Sequence, residues 1–175
     1  NDLKGSLDLQ QLVLHYQPII VMETNKLIGF EALVRWQHPQ RGLIWPLEFI
    51  TLSEETGLIL PLGHWVLREA CRQMRVWQEL YPCQPPLVVS VNISARQIQQ
   101  RDFCTQVATV LKDTGLPASS LRLEITESVM VEHTGAMANA LDQLRSLGVQ
   151  LYIDYFGTGY SSLGYLDSLP VNAIK

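Results

Sequence analysis

Residues 87–94, LVVSVNIS, decide how the rest of the chain is read. The run is apolar and β-branched, follows a proline-containing break (YPCQPP, 81–86), and carries one amide, Asn92, near its far end. A short apolar run bounded by turn residues is the pattern of a strand buried on both faces. From here the sequence becomes regular. A helix is expected around 102–114, ending at Gly115, then a strand in LRLEITE (121–127). A second helix follows over about 134–147, ending at Gly148, then a strand in VQLYIDYF (149–156). YSSLGYLDSL (160–169) reads as a short helix, and VNAIK (171–175) starts a further strand. Strands alternating with helices through short loops imply parallel βαβ units.

Working back toward the start, LVLHYQPII (12–20) and KLIGFEALVRW (26–36) are strand-like and separated by a few polar residues, METN, which suggests an antiparallel hairpin. HPQRG makes a turn, and PLEFITLSEETG (46–57) reads as a short helix stopped by Gly57. PLGHWVLREACRQMRVWQEL (61–80) is the clearest helix. Leu62, Trp65, Val66, Ala70, Met74, Trp77 and Leu80 recur at three- and four-residue steps, while Arg68, Glu69, Arg72 and Gln73 lie off that stripe.

The 175 residues are one domain's worth of chain, with 47% apolar and 17% charged residues, as in ordinary folded proteins. A net charge of -4 supplies no general basic field for a nucleic-acid polymer, although a small anionic ligand needs only local cations or a metal. Cys71, Cys83 and Cys104 lack zinc-type CxxC spacing and read as reduced thiols of a cytosolic protein. No apolar run is long enough to span a membrane and nothing at the start resembles a signal peptide. The abrupt beginning, NDLKGSLDLQQ, and the stop within LPVNAIK both read as cuts in a longer protein.

Asn92, Glu124, Asp154 and Lys175 fall at one relative place in successive units, 32, 30 and 21 residues apart. Each therefore belongs near the C-terminal end of a strand, and in a TIM-type barrel those ends converge on one mouth. An open Rossmann-type sheet ranks lower, because no GxGxxG follows an early strand. Glu31, Glu124 and Asp154 are carboxylates inside apolar strands. Burying several together is costly unless a cation neutralises them. Three carboxylates and the amide of Asn92 form an all-oxygen set suited to Mg2+ or Mn2+, with Lys175 free to neutralise a phosphate or position a water. Taken singly, each has a structural explanation: a helix cap or ion pair for the acids, a turn for Asn92, a pairing of Glu127 with Arg122, and a water-facing head on Arg35. Four such groups in phase with the repeat favour a site.

FEALVRW, VNIS, LEITES, DYFGTGYSSL and LPVNAIK, supported by LHYQPI, WPLEFI and EETGLI, resemble in order and spacing the EAL domain of bacterial cyclic di-GMP phosphodiesterases. The likeness runs through the whole chain, making residues 1–175 a single EAL-type domain. It implies an α/β, TIM-like (β/α)8 barrel with an antiparallel first strand, here truncated after about six strands. It implies metal-dependent hydrolysis of cyclic di-GMP to the linear dinucleotide. By the resemblance, Glu31, Asn92, Glu124 and Asp154 fall on metal ligands, Lys175 on the lysine near the attacking water, and Gln17, Leu33 and Arg35 on dinucleotide contacts. Glu127 falls on the glutamate that holds the loop after Asp154. The expected setting is a cytoplasmic domain that pairs as a homodimer, with an upstream GGDEF or sensor domain and any membrane association belonging to the parent protein.

Two departures stand out. The family writes two adjacent aspartates, DDFGTG, where this chain has Asp154-Tyr155. A phenol with a pKa near 10 is a poor Mg2+ ligand at neutral pH, so the second metal position is expected to be impaired. The chain also stops before the family's EGVE motif and a glutamine near the last strand. A cyclic di-GMP receptor without turnover, or a dimerisation scaffold, is the alternative expectation.

Overall fold

The computed structural model describes residues 11–126, 135–154 and 173–174. Its strands are β1 (Leu12–Val21), β2 (Lys26–His38), β3 (Gly42–Ile44), β4 (Val88–Ile93), β5 (Leu121–Thr126), β6 (Gln150–Asp154) and β7 (Ala173–Ile174). Its α-helices are α1 (Pro46–Thr56), α2 (Ile59–Leu80), α3 (Ala95–Ile98), α4 (Phe103–Thr114) and α5 (Gly135–Ser146). The seven strands among the described residues form one sheet in the order β1-β2-β4-β5-β6-β7, with β3 pairing β2 off that path.

The expected hairpin is present: β1 pairs antiparallel with β2, Gln17 opposite Glu31. From β2 onward the path is parallel, through β4, β5 and β6 to β7. The parallel strands thus point one way and β1 runs against them, as the sequence predicts. Three short elements are additions to the sequence reading. β3 extends the turn after His38, α3 follows β4 directly, and a 3-10 turn at Ala118–Ser120 precedes β5. Each is too short to generate a periodic signal. The proposed helix at 160–169 lies outside the described residues.

Local chemistry explains the breaks. α1 ends at Gly57 and α4 at Gly115, both in the left-handed conformation that glycine adopts without a Cβ clash. α3 begins with a capping box: Ser94 accepts from the Gln97 backbone N–H, and the Gln97 side chain accepts from the Ser94 N–H. That box holds the chain rigidly just past the end of β4.

Apart from an irregularity at Ile19/Ile20 of β1, successive strand residues turn to opposite faces. Leu12, Ala32, Trp36, Val89, Val91, Ile93, Leu121, Leu123, Ile125, Leu151 and Ile153 point to one face and join a buried core with Leu62, Val66, Leu67, Ala70 and Met74 of α2. Val107, Val110 and Leu111 of α4 and Leu141 and Leu144 of α5 complete it. The apolar stripe read over 61–80 covers the sheet from Leu62 to Trp77, whereas Leu80, expected on the same stripe, is exposed at the end of the helix. The strand residues between those apolar positions form the opposite, inner face. Gly29 lies where β2 meets β4, and a Cβ there would collide with the Val88 carbonyl oxygen.

Candidate active site

Register alone brings the candidate residues together. On the inner face Gln17 faces Glu31 across β1 and β2, and Glu31 pairs with Ser90 of β4. Asn92 stands beside Glu124 of β5, which stands beside Tyr152 of β6, and Asp154 lies opposite Thr126. Side chains two apart on a strand share a face, so Glu31, Asn92, Glu124 and Asp154 occupy the same side of four successive strands, the last three near the C-terminal ends and Glu31 in the middle of β2. Leu33 and Arg35 continue this face along β2, opposite His15 and Val13.

The contacts differ along this row. The Asn92 Nδ2 donates to Glu31 Oε1 at 2.8 Å, linking the first two strands of the set. Glu124 is 2% exposed, whereas Glu31 and Asp154 are half-buried and Asn92 is exposed. Among the described residues no three His, Cys, Asp or Glu side chains already converge into a group that could hold a metal ion. The donor chemistry of these four residues nevertheless fits a hard divalent cation, since they offer only carboxylate and amide oxygens. Tyr155, Glu127 and Lys175 lie outside the described residues.

Below this row a second polar layer fixes the inner face. Arg122 Nε donates to Gln150 Oε1 at 3.1 Å, and its guanidinium lies 4.9 Å from the centre of the Tyr152 ring. Gln150 in turn donates to the Ser119 carbonyl at 2.7 Å. Arg122 is thereby engaged with Gln150 and Tyr152. Ser90 Oγ is buried in the same layer without a hydrogen-bond partner. The sequence reading missed Ser90, Gln150 and Tyr152 as site-floor residues. Counting back by two from Asn92, Glu124 and Asp154 finds Ser90, Arg122 and Tyr152 directly.

Arg35 departs from the water-facing alternative. It is only 7% exposed, donates from Nη1 to the Val34 carbonyl at 2.8 Å, and stacks 4.4 Å from the centre of the Trp45 ring. Its buried Nε has no partner, and burial lowers the guanidinium pKa from its usual value.

The EAL domain family model matches residues 1–175. This chain belongs to the EAL domain family. The EAL domain is 46% identical over 175 residues to a Pseudomonas aeruginosa protein named bifunctional diguanylate cyclase/cyclic di-GMP phosphodiesterase MucR, covering 100% of this chain and 25% of that protein. It is 42% identical over 174 residues to Escherichia coli cyclic di-GMP phosphodiesterase PdeR, covering 99% and 26%. Among solved structures, the PaMucR phosphodiesterase in complex with c-di-GMP matches at a TM-score of 0.93 and 46% identity, over 99% of this chain and 69% of that one. The fold expectation is thus met, a TIM-like α/β barrel wall with an antiparallel first strand. The chain spans only about a quarter of the length of these two named relatives. None of its described helices is long and apolar enough to cross a membrane.

Proposed function

We propose that this EAL domain binds cyclic di-GMP and that the protein carrying it hydrolyses one phosphodiester bond, adding water to give the linear dinucleotide. The observation that carries the reading is the alignment of Glu31, Asn92, Glu124 and Asp154 on one face of four successive strands, with Gln17, Leu33 and Arg35 beside them. Similarity to relatives named for this activity supports it.

Glu31, Asn92, Glu124 and Asp154 would hold Mg2+ or Mn2+, by their oxygen chemistry. Such an ion, when bound, lowers the pKa of a water and offsets charge on the phosphate. By the family resemblance Gln17, Leu33 and Arg35 would contact the dinucleotide, Arg35 at a phosphate, and the β1–β2 register sets all three on the face that carries Glu31. The family resemblance would assign Lys175 to the attacking water and Glu127 to the support of the loop after Asp154. The reading takes the domain to be cytoplasmic, to pair as a homodimer, and to serve a parent protein with a GGDEF or sensor partner.

Tyr155, where the family has a second aspartate, favours one competing reading: a receptor that binds without turnover. Incubation of the protein with cyclic di-GMP and Mg2+ or Mn2+, with calorimetry in parallel, separates the two. Linear product supports hydrolysis. Binding with no product after long incubation establishes the receptor, and no binding leaves a scaffold. Tyr155→Asp is expected to raise turnover if the missing ligand is the main defect, and an unchanged rate places the defect elsewhere.

A further inference from the structure

Trp45 is a large side chain in an unusual place. It occupies the N-cap of α1, yet makes no side-chain capping hydrogen bond, a task that Ser, Thr, Asp or Asn performs far better. It contributes little to the core either, being 56% exposed, while its neighbour Ile44 is buried. Neither helix capping nor core packing accounts for an indole here.

Its position is set by the hairpin of β2 and β3. Trp36 pairs with Ile44, so the next antiparallel step sets Trp45 across from Arg35, on the inner face. The Arg35 guanidinium lies behind the ring, 4.4 Å from its centre. The ring's exposure leaves apolar surface open toward solvent, beside the Arg35 guanidinium. A phosphate and its base are separated by a single ribose. A nucleotide whose phosphate meets Arg35 therefore brings its base within reach of the adjacent ring. Aromatic rings stack on any base without needing a hydrogen-bond pattern.

Resting on the cyclic di-GMP reading above, we infer that Trp45 is a base-stacking platform, backed by Arg35, that takes one purine of the dinucleotide. It is a binding residue and takes no part in proton transfer. The platform adds affinity at the base while the carboxylate row acts at the phosphodiester.

The test uses cyclic di-GMP and an analogue in which one guanine is replaced by 2-aminopurine, mixed with the protein by stopped flow so that binding is read before turnover. Stacking on Trp45 is expected to quench the 2-aminopurine. Trp45→Leu should weaken cyclic di-GMP binding by about 5- to 150-fold and abolish the quench, whereas Trp45→Phe should restore most of both. Circular dichroism of each variant confirms folding. Should Trp45→Leu bind as the parent does, with the probe equally quenched, the platform is wrong and the functional reading survives. A loss of affinity with the quench intact would reduce Trp45 to a prop for Arg35 and also overturn the platform. If the parent protein does not bind cyclic di-GMP at all, the functional reading and the platform fall together.

Discussion

Leu123 and Glu124 are consecutive residues of β5, 1% and 2% exposed, and they face opposite sides of one sheet. Leu123 joins the core under the helices. Burying such a side chain stabilises a protein by about 1.5–3 kcal/mol. Glu124 lies on the inner face between Asn92 and Tyr152. Taking a carboxylate out of water costs several kcal/mol that its partners must offset. The same alternation gives Val91 and Asn92, and Ile153 and Asp154. One face holds the fold together, and the other carries the groups proposed to bind the metal and the dinucleotide.

That comparison can be broken most directly at β5. Leu123→Ala should cost about 2–5 kcal/mol of stability in denaturant unfolding while leaving the folded fraction's affinity for cyclic di-GMP unchanged. A comparable loss of affinity would mean that the two faces are not separable. Glu124→Gln should do the reverse. Hydrolysis is expected to fall by about 100- to 1,000-fold, the scale for removing one electrostatic group from an active site, with a Tm no lower than the parent's. A sharp drop in Tm would make Glu124 a structural residue.

Two smaller effects sharpen the boundary between the faces. Ser94→Ala removes the capping box just beyond Asn92 and should cost about 1 kcal/mol by chemical denaturation, with a modest rise in KM because the end of β4 is less firmly held. The thiols report on the helical layer. Cys71 is buried in α2, and burial pushes its pKa up to about 12, while Cys83 is exposed. Alkylation at pH 8 should modify Cys83 promptly and Cys71 only on unfolding. The sign of the linkage follows. The folded state keeps the Cys71 proton longer than the unfolded chain, whose thiol ionises near pH 8.5. Its contribution is complete below that pH and is lost as pH rises toward about 12. A Cys71→Ala variant should show a shallower alkaline loss of stability.

The order of elements was legible because periodicity is a local property. The stripe from Leu62 to Leu80, the glycines after α1 and α4, and the apolar runs of β4 to β6 each encode their own conformation. The shared face of Asn92, Glu124 and Asp154 was likewise legible in the repeat, but their heights were not: Asn92 and Glu124 are level, and Asp154 stands two residues further along, opposite Thr126. Residue types and the motifs they form were sufficient to identify the family.

Tertiary structure decided what those residues touch. No spacing predicts that Asn92 donates to Glu31, 61 positions away, or that Arg122 lies against Tyr152 and Gln150. Such contacts depend on strand register between segments distant in the chain. Arg35 shows the limit most plainly. The sequence supplies a cation after FEAL, but only the pairing of β2 with β3 buries it against Trp45. A charge's surroundings are set by the elements folded around it, and these are a property of the assembled sheet rather than of any single strand.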